Sequence, residues 1–176
     1  MKLKIVFLSI IVLIFTGCSK MQIEDFTNKT PEFIPEEYFN GPLIAYGLVK
    51  DRSGKIIKTF KGDLFGSWDE NGVGTLDEKF VYDNGEKQTR IWTLIPTAPK
   101  TYIGTAGDIV GKAQMQVNGN TVMMDYTMTV PYNDSTIDIN VRDWLHLQED
   151  GVILNHSKMK KFGFTVGELV ITIIKK

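Results

Sequence analysis

From residue 40 onward, short clusters of turn-forming residues interrupt the chain at regular intervals. They fall at Asn40-Gly41-Pro42, Asp51 to Gly54, Asp69 to Gly72, Asp83-Asn84-Gly85, Asn118-Gly119, Pro131 to Asp134 and Asp150-Gly151. The runs between them are rich in Val, Ile, Thr, Tyr and Phe. Apolar runs this short, joined by turns this tight, fold as hairpins, and no stretch sustains a helical period. The pattern predicts an all-β domain, with one helical turn at its entrance over Pro35-Glu36-Glu37-Tyr38-Phe39.

Two of the turns test the register. With Asn118-Gly119 as a two-residue loop, Met115 faces Val122, Ala113 faces Met124 and Ile109 faces Met128. With Pro131 to Asp134 as the next loop, Met128 faces Ile137, Tyr126 faces Ile139 and Met124 faces Val141. Both turns place the same residues on one face, and a one-residue slip would destroy that agreement. The spacing predicts a three-stranded meander from Asp108 to Val141. Reading Asp150-Gly151 as a two-residue loop pairs Leu147 with Leu154, Leu145 with His156 and Asp143 with Lys158. The last run, Phe164 to Ile174, is apolar on both parities and is expected to close against Leu43 to Val49. The expected architecture is an antiparallel up-and-down β-barrel of about 8–10 strands with at most a short N-terminal helix, a β-sandwich being the alternative.

Composition removes several function classes. Twenty Lys and Arg against 21 Asp and Glu leave a net charge of −1, which disfavours an electrostatic nucleic-acid binder. A hydrophobic fraction of 43% excludes a disordered chain. One Cys and two His leave no disulfide framework and no rich metal site, so neither metal nor cofactor is expected. The N-terminus reads as a targeting signal: Lys2 and Lys4 precede an apolar run, Ile5 to Phe15, too short to span a bilayer. It ends in Phe15-Thr16-Gly17-Cys18, which resembles a bacterial lipobox. The expected layout is a lipoprotein signal peptide over 1–17, lipidation at Cys18, a tether over 18–32 and the barrel over 33–176. An ordinary signal peptide with an incidental Cys is the alternative. Ser19 in place of Asp implies the outer membrane, facing the periplasm, with the membrane itself as partner through the lipid anchor.

Several words recur as a set: Pro35-Glu36-Glu37-Tyr38-Phe39-Asn40-Gly41, Leu76 to Glu86, Arg90-Ile91-Trp92, Ala106 to Ala113, Gly119-Asn120, Asp143-Trp144 and Lys161-Phe162-Gly163. Together they resemble a proteobacterial lipoprotein family catalogued only as a domain of unknown function, across most of residues 33–176. The resemblance implies a lipocalin-like barrel and a gene neighbourhood of enzymes that modify fatty acyl chains. It brings no active site.

Candidate site residues follow from parity. If the loop after Asp83 spans Asn84 to Glu86, Glu78 faces Trp92 and is a diagonal neighbour of Arg90, on a face shared by Leu76, Phe80, Tyr82 and Leu94. If it spans Asp83 to Glu86, Arg90 turns away. In the first register the pair is either a polar anchor for a ligand head group or a structural salt bridge. Met115, Met124 and Met128 share the meander's apolar face with Tyr126, and flexible methionines line adaptable pockets as well as cores. Asp143, His156 and Lys158 share the expected inward parity, which raises an acid–base dyad, while His146 faces solvent. Asp69, Glu70 and Asn71 read as a turn, and Gly104 to Gly111 lacks the helix a phosphate loop needs. The expected function is a binding module for a lipid or other apolar molecule, such as a fatty acyl chain. A structural or interaction protein of the envelope comes second, and an enzyme acting on acyl lipids third, because no nucleophile–base–orienter set is apparent.

Overall fold

The computed structural model describes residues 20–176, so the expected signal segment 1–17 and the expected lipidation site Cys18 lie outside the described residues. Ten strands follow one another: β1 (Gly41–Asp51), β2 (Ile56–Trp68), β3 (Gly74–Tyr82), β4 (Lys87–Ala98), β5 (Thr101–Thr105), β6 (Ala113–Asn118), β7 (Thr121–Tyr132), β8 (Ser135–Leu147), β9 (Ile153–Lys161) and β10 (Phe164–Lys175). Each pairs antiparallel with its neighbours in sequence and β1 pairs with β10, so the sheet closes into an up-and-down barrel. Closure satisfies the backbone of what would otherwise be edge strands. The strand alternation turns Leu43, Leu64, Leu76, Leu94, Val122 and Ile153 inward. Outward it turns Lys61, Asp63, Asp77, Lys79, Asp125, Arg142 and Lys158. Beside them Tyr46, Phe65, Ile91, Leu154 and Ile174 also stand exposed on the outside, so the outer wall mixes charged and apolar side chains.

The hairpins explain where the registers fall. Four of them, closed by Asp51 with Lys55, Asp69 with Val73, Tyr82 with Glu86 and Gln148 with Val152, have three-residue loops. In each the third loop residue is a glycine at positive φ, the conformation that lets a type I turn match the twist of its strands. The loop after Tyr82 is therefore Asp83-Asn84-Gly85, and Glu78 stands directly opposite Arg90, not diagonal to it. The face assignment of the three-residue reading holds. In the meander the turns are Gly119-Asn120 and Asn133-Asp134, each one pair further along than expected. Met115 thus faces Met124, Tyr126 faces Val141 and Met128 faces Ile139, and every residue keeps its predicted face. The expected Ile109–Met128 pairing is present as an isolated bridge.

One register is corrected. Gly151, at φ 80°, ends a three-residue loop, so β8 and β9 pair with the opposite parity: Asp143 faces Ser157 and Trp144 faces His156. His156 and Lys158 lie on the outer wall, and the Asp143–His156 dyad does not form.

One end of the barrel is plugged. A 3-10 turn, Ile23–Phe26, and the helical turn α1, Pro35–Tyr38, bring Phe33, Tyr38 and Phe39 onto the core with exposures of 2%, 7% and 5%. The Phe33 N–H donates to the Gly119 carbonyl at 2.8 Å. Tyr38 donates to the Gly151 and Ile173 carbonyls at 2.7 and 3.0 Å, and Trp68 Nε1 to Phe39 at 3.2 Å. Within the segment expected as a tether, most described side chains from 20 to 32 are exposed, but two pack onto the barrel. Ile23 is buried, and Phe26 covers Trp144 with ring centroids 5.8 Å apart, which is why an outward tryptophan is only 5% exposed.

Candidate functional site

The inner wall is filled unevenly. In the plugged half, Leu43, Leu94, Tyr102, Met115, Val117 and Leu147 form one continuous core. Towards the other end the inward residues Val49, Met128, Val130, Ile137, Met159 and Leu169 are only half-buried. The β2–β3 side is the exception, since Phe60 and Phe80 pack edge-to-face there at 5.3 Å. β5 and β6 are the shortest strands, so in the unfilled half the 106–112 connection bridges the wall between β4 and β7. It is held by Val110 donating to Thr127 and Thr129 donating to Asp108, each at 2.8 Å.

Between the two halves lies a polar layer. Arg90 points inward from β4 and clasps Asp108 of that connection: Nε is 3.0 Å from both carboxylate oxygens and Nη2 is 2.7 Å from Oδ2. Nη1 lies 3.7 Å from Glu78 Oε2, which is buried and has no hydrogen-bond partner among the described residues. The guanidinium also sits over Trp92, 5.8 Å from the ring centroid. Trp92 packs edge-on to Tyr126 at 5.6 Å, in space left open by Gly104, where a Cβ would meet the indole at 3.2 Å. On the neighbouring strands, Tyr126 donates to Asp143 at 3.4 Å, and Ser157 donates to the same carboxylate at 2.6 Å. Asn155 completes its hydrogen bonds.

Burial dominates the protonation of this layer. It pushes the Glu78 carboxyl up to about 7, against the pull of Arg90, with the Asp143 and Asp108 carboxylates adding to the rise. Burial also raises Asp143, although hydrogen bonds from Ser157, Asn155 and Tyr126 favour its charge. Tyr126 is raised well above its ordinary value by burial and by Asp143. Burial opposes the charge on Arg90, but Asp108 and Glu78 outweigh it and hold the guanidinium protonated.

The residues expected from sequence divide into two groups. Glu78, Arg90, Trp92 and Tyr126 come together in the polar layer, and Met124 and Met128 stand half-buried beside and beyond it. Met115, 1% exposed, belongs to the closed core. Asp108, Asn155, Ser157 and Met159 were not singled out from sequence. Asp143 was, but with the wrong partner. Parity could have supplied Ser157 and Met159 had the Asp150-Gly151 loop been read as three residues. Both histidines are outside the barrel: His146 Nδ1 is 2.9 Å from Thr121 Oγ1, and His156 Nε2 is 3.4 Å from Glu168. Ser157 therefore faces a carboxylate with no imidazole between them, and this layer is not assembled as a hydrolytic triad.

Residues 12–175 match the family described as Protein of unknown function (DUF3833). The chain belongs to that family. The DUF3833 match takes in the whole polar layer, the plug and every strand. It carries a fold without an assigned activity. No curated protein matches the chain.

Proposed function

We propose that this DUF3833 domain is a binding module for an amphiphile, with the apolar part lying in the unfilled half of the barrel and the polar layer forming its floor. The observation that carries this reading is the difference along the inner wall. Inward aliphatic and methionine side chains are buried at the plugged end and half-buried at the other. Sites for small apolar molecules are concave, mostly apolar and supplied with a few fixed polar groups. Met124, Met128 and Met159 add a deformable lining. Closed barrels of this size have room for a ligand that smaller ones lack.

The floor selects the charge of what it meets. One guanidinium is already shared between Asp108 and Glu78, and Asp143 adds a third carboxyl. A ligand carboxylate would have to displace Asp108 from Arg90. The inner end of the ligand is therefore an uncharged hydrogen-bonding group, such as an alcohol, ester or amide, and a free fatty acid fits less well. The N-terminal signal and Cys18 support placement at the bacterial envelope on a lipid anchor, beside a supply of such molecules. Titration of the purified protein with a fluorescent long-chain alcohol and the matching fatty acid tests the reading. Saturable binding of the alcohol, tighter than the acid at pH 8, is expected. No saturable binding of either would remove it.

A further inference from the structure

The rim of the unfilled end carries large apolar side chains that no other described residue covers. Phe162 is 85% exposed, Phe164 76% and Tyr132 60%, and Ile57 and Val166 stand near them at 54% and 40%. Phe162 also occupies a costly conformation. It is the first residue of the two-residue turn Phe162-Gly163 between β9 and β10 and has φ 50°, where glycine or asparagine is the usual choice. A phenylalanine held there at the tip of a hairpin gains no packing within the domain.

Beside this tip runs a basic groove. An open depression of about 740 Å³ crosses the outer wall of β7, β8 and β9 and is lined by Lys20, Lys112, Arg142, His156, Lys158 and Lys160. Asp125 is the one carboxylate among the described residues that line it, and it is already bound to Arg142 through two hydrogen bonds of 2.7 and 2.8 Å. Lys160 opposes Thr165 and Lys161 opposes Phe164, so the cations run up to the aromatic tip, and Lys161 Nζ lies 4.9 Å from the Phe162 ring.

We infer that the Phe162–Phe164 tip and the adjoining lysine groove form a docking surface for an anionic lipid bilayer, which turns the unfilled end of the barrel towards the membrane. The apolar tip enters the interface and the lysines meet the phosphate groups of the lipids. Exposed aromatics next to clustered cations are the combination that holds peripheral proteins on anionic membranes. The orientation gives the binding-module reading a route for its ligand, but the surface itself depends on neither that ligand nor Cys18.

Residues 20–176, which include the complete barrel and its plug, provide the test because they carry no lipid. They should sediment with vesicles containing 30% phosphatidylglycerol in phosphatidylcholine, and much less with phosphatidylcholine alone or in 0.5 M salt. Phe162→Ser with Phe164→Ser should weaken binding by about tenfold for each aromatic lost. Lys112→Gln, Lys158→Gln and Lys160→Gln should weaken it by about fivefold each. Lys61→Gln with Lys79→Gln, midway along the opposite wall, should leave it unchanged. Phe162→Trp should shift its emission to the blue on anionic vesicles and be quenched by brominated acyl chains. Absence of binding, equal loss from the opposite-wall variant, or binding of inorganic phosphate with no binding of vesicles would each overturn the inference. Ligand uptake by the barrel in that case would leave the binding-module reading intact.

Discussion

Arg90 and Asp108 form a two-pronged ion pair between β4 and the β5–β6 connection, with Nε 3.0 Å from both carboxylate oxygens and Nη2 2.7 Å from one of them. The pair does two things at once. It latches an irregular segment onto a wall that the short strands β5 and β6 leave incomplete, and it occupies the edge of the guanidinium that a ligand carboxylate would otherwise take.

Asp108→Asn should cost about 3 kcal/mol, because removing one partner leaves the Arg90 charge in a largely buried site facing only Glu78. Urea unfolding should show a lower midpoint with an unchanged slope. Replacing Arg90, Glu78 and Asp108 together by Met, Met and Leu should restore much of that loss.

Glu78 predicts a pH dependence of definite sign. Its carboxyl lies at about 7 in the folded protein and at 4.5 ordinarily, so between those values the folded state holds the proton longer than the unfolded one. Stability from this group is fully present below pH 4.5 and falls as pH rises to 7, by at most about 3 kcal/mol. Asp143, raised in the same direction, acts with the same sign. His146, lowered by burial, acts with the opposite sign as pH falls below its ordinary value of 6.5. The difference between wild type and Glu78→Gln isolates the Glu78 contribution. It should be largest above pH 7 and vanish near pH 4, with the Glu78→Gln variant the more stable at pH 8.

Ser157 and His156 test the corrected hairpin. Ser157 is fully buried and donates to Asp143, so Ser157→Ala should destabilise by about 1–3 kcal/mol. His156→Ala alters an exposed outer-wall residue and should stay within about 0.5 kcal/mol of wild type. Reversed effects would restore the two-residue reading of the Asp150-Gly151 loop.

Met124→Trp should reduce amphiphile binding strongly while the fold survives, at an overpacking cost of about 1–3 kcal/mol. Met124 lies opposite Met115 and Asp143, where the polar floor meets the core. A solidly packed wall would give greater destabilisation with no binding to lose.

Much of this arrangement is legible in the sequence, because strand parity depends only on whether a loop is odd or even. Misplacing the Gly119-Asn120 and Asn133-Asp134 turns by one pair left every inward residue of the meander inward. Misreading one glycine, Gly151, inverts β9: it sets Lys158 opposite Asp143, where Ser157 stands, and turns His156 inward. An Asp-Gly pair serves equally as a two-residue turn or as the end of a three-residue loop, and only the φ of the preceding residues separates them. Asp108 lies in a connection with no periodicity, and its partner is 18 residues away on another strand, so no local pattern points to it. The plug was half legible: Pro35 to Phe39 reads as a helical turn, but the burial of Phe33 and Ile23 depends on the barrel end they cover.

Native mass spectrometry of the full chain, purified without denaturant, reads directly whether the barrel holds an amphiphile. One uncharged amphiphile bound per barrel, released on unfolding and absent from Met124→Trp, is the predicted result. Wild type at the mass of the covalent protein alone, before and after incubation with long-chain alcohols or esters, would contradict it.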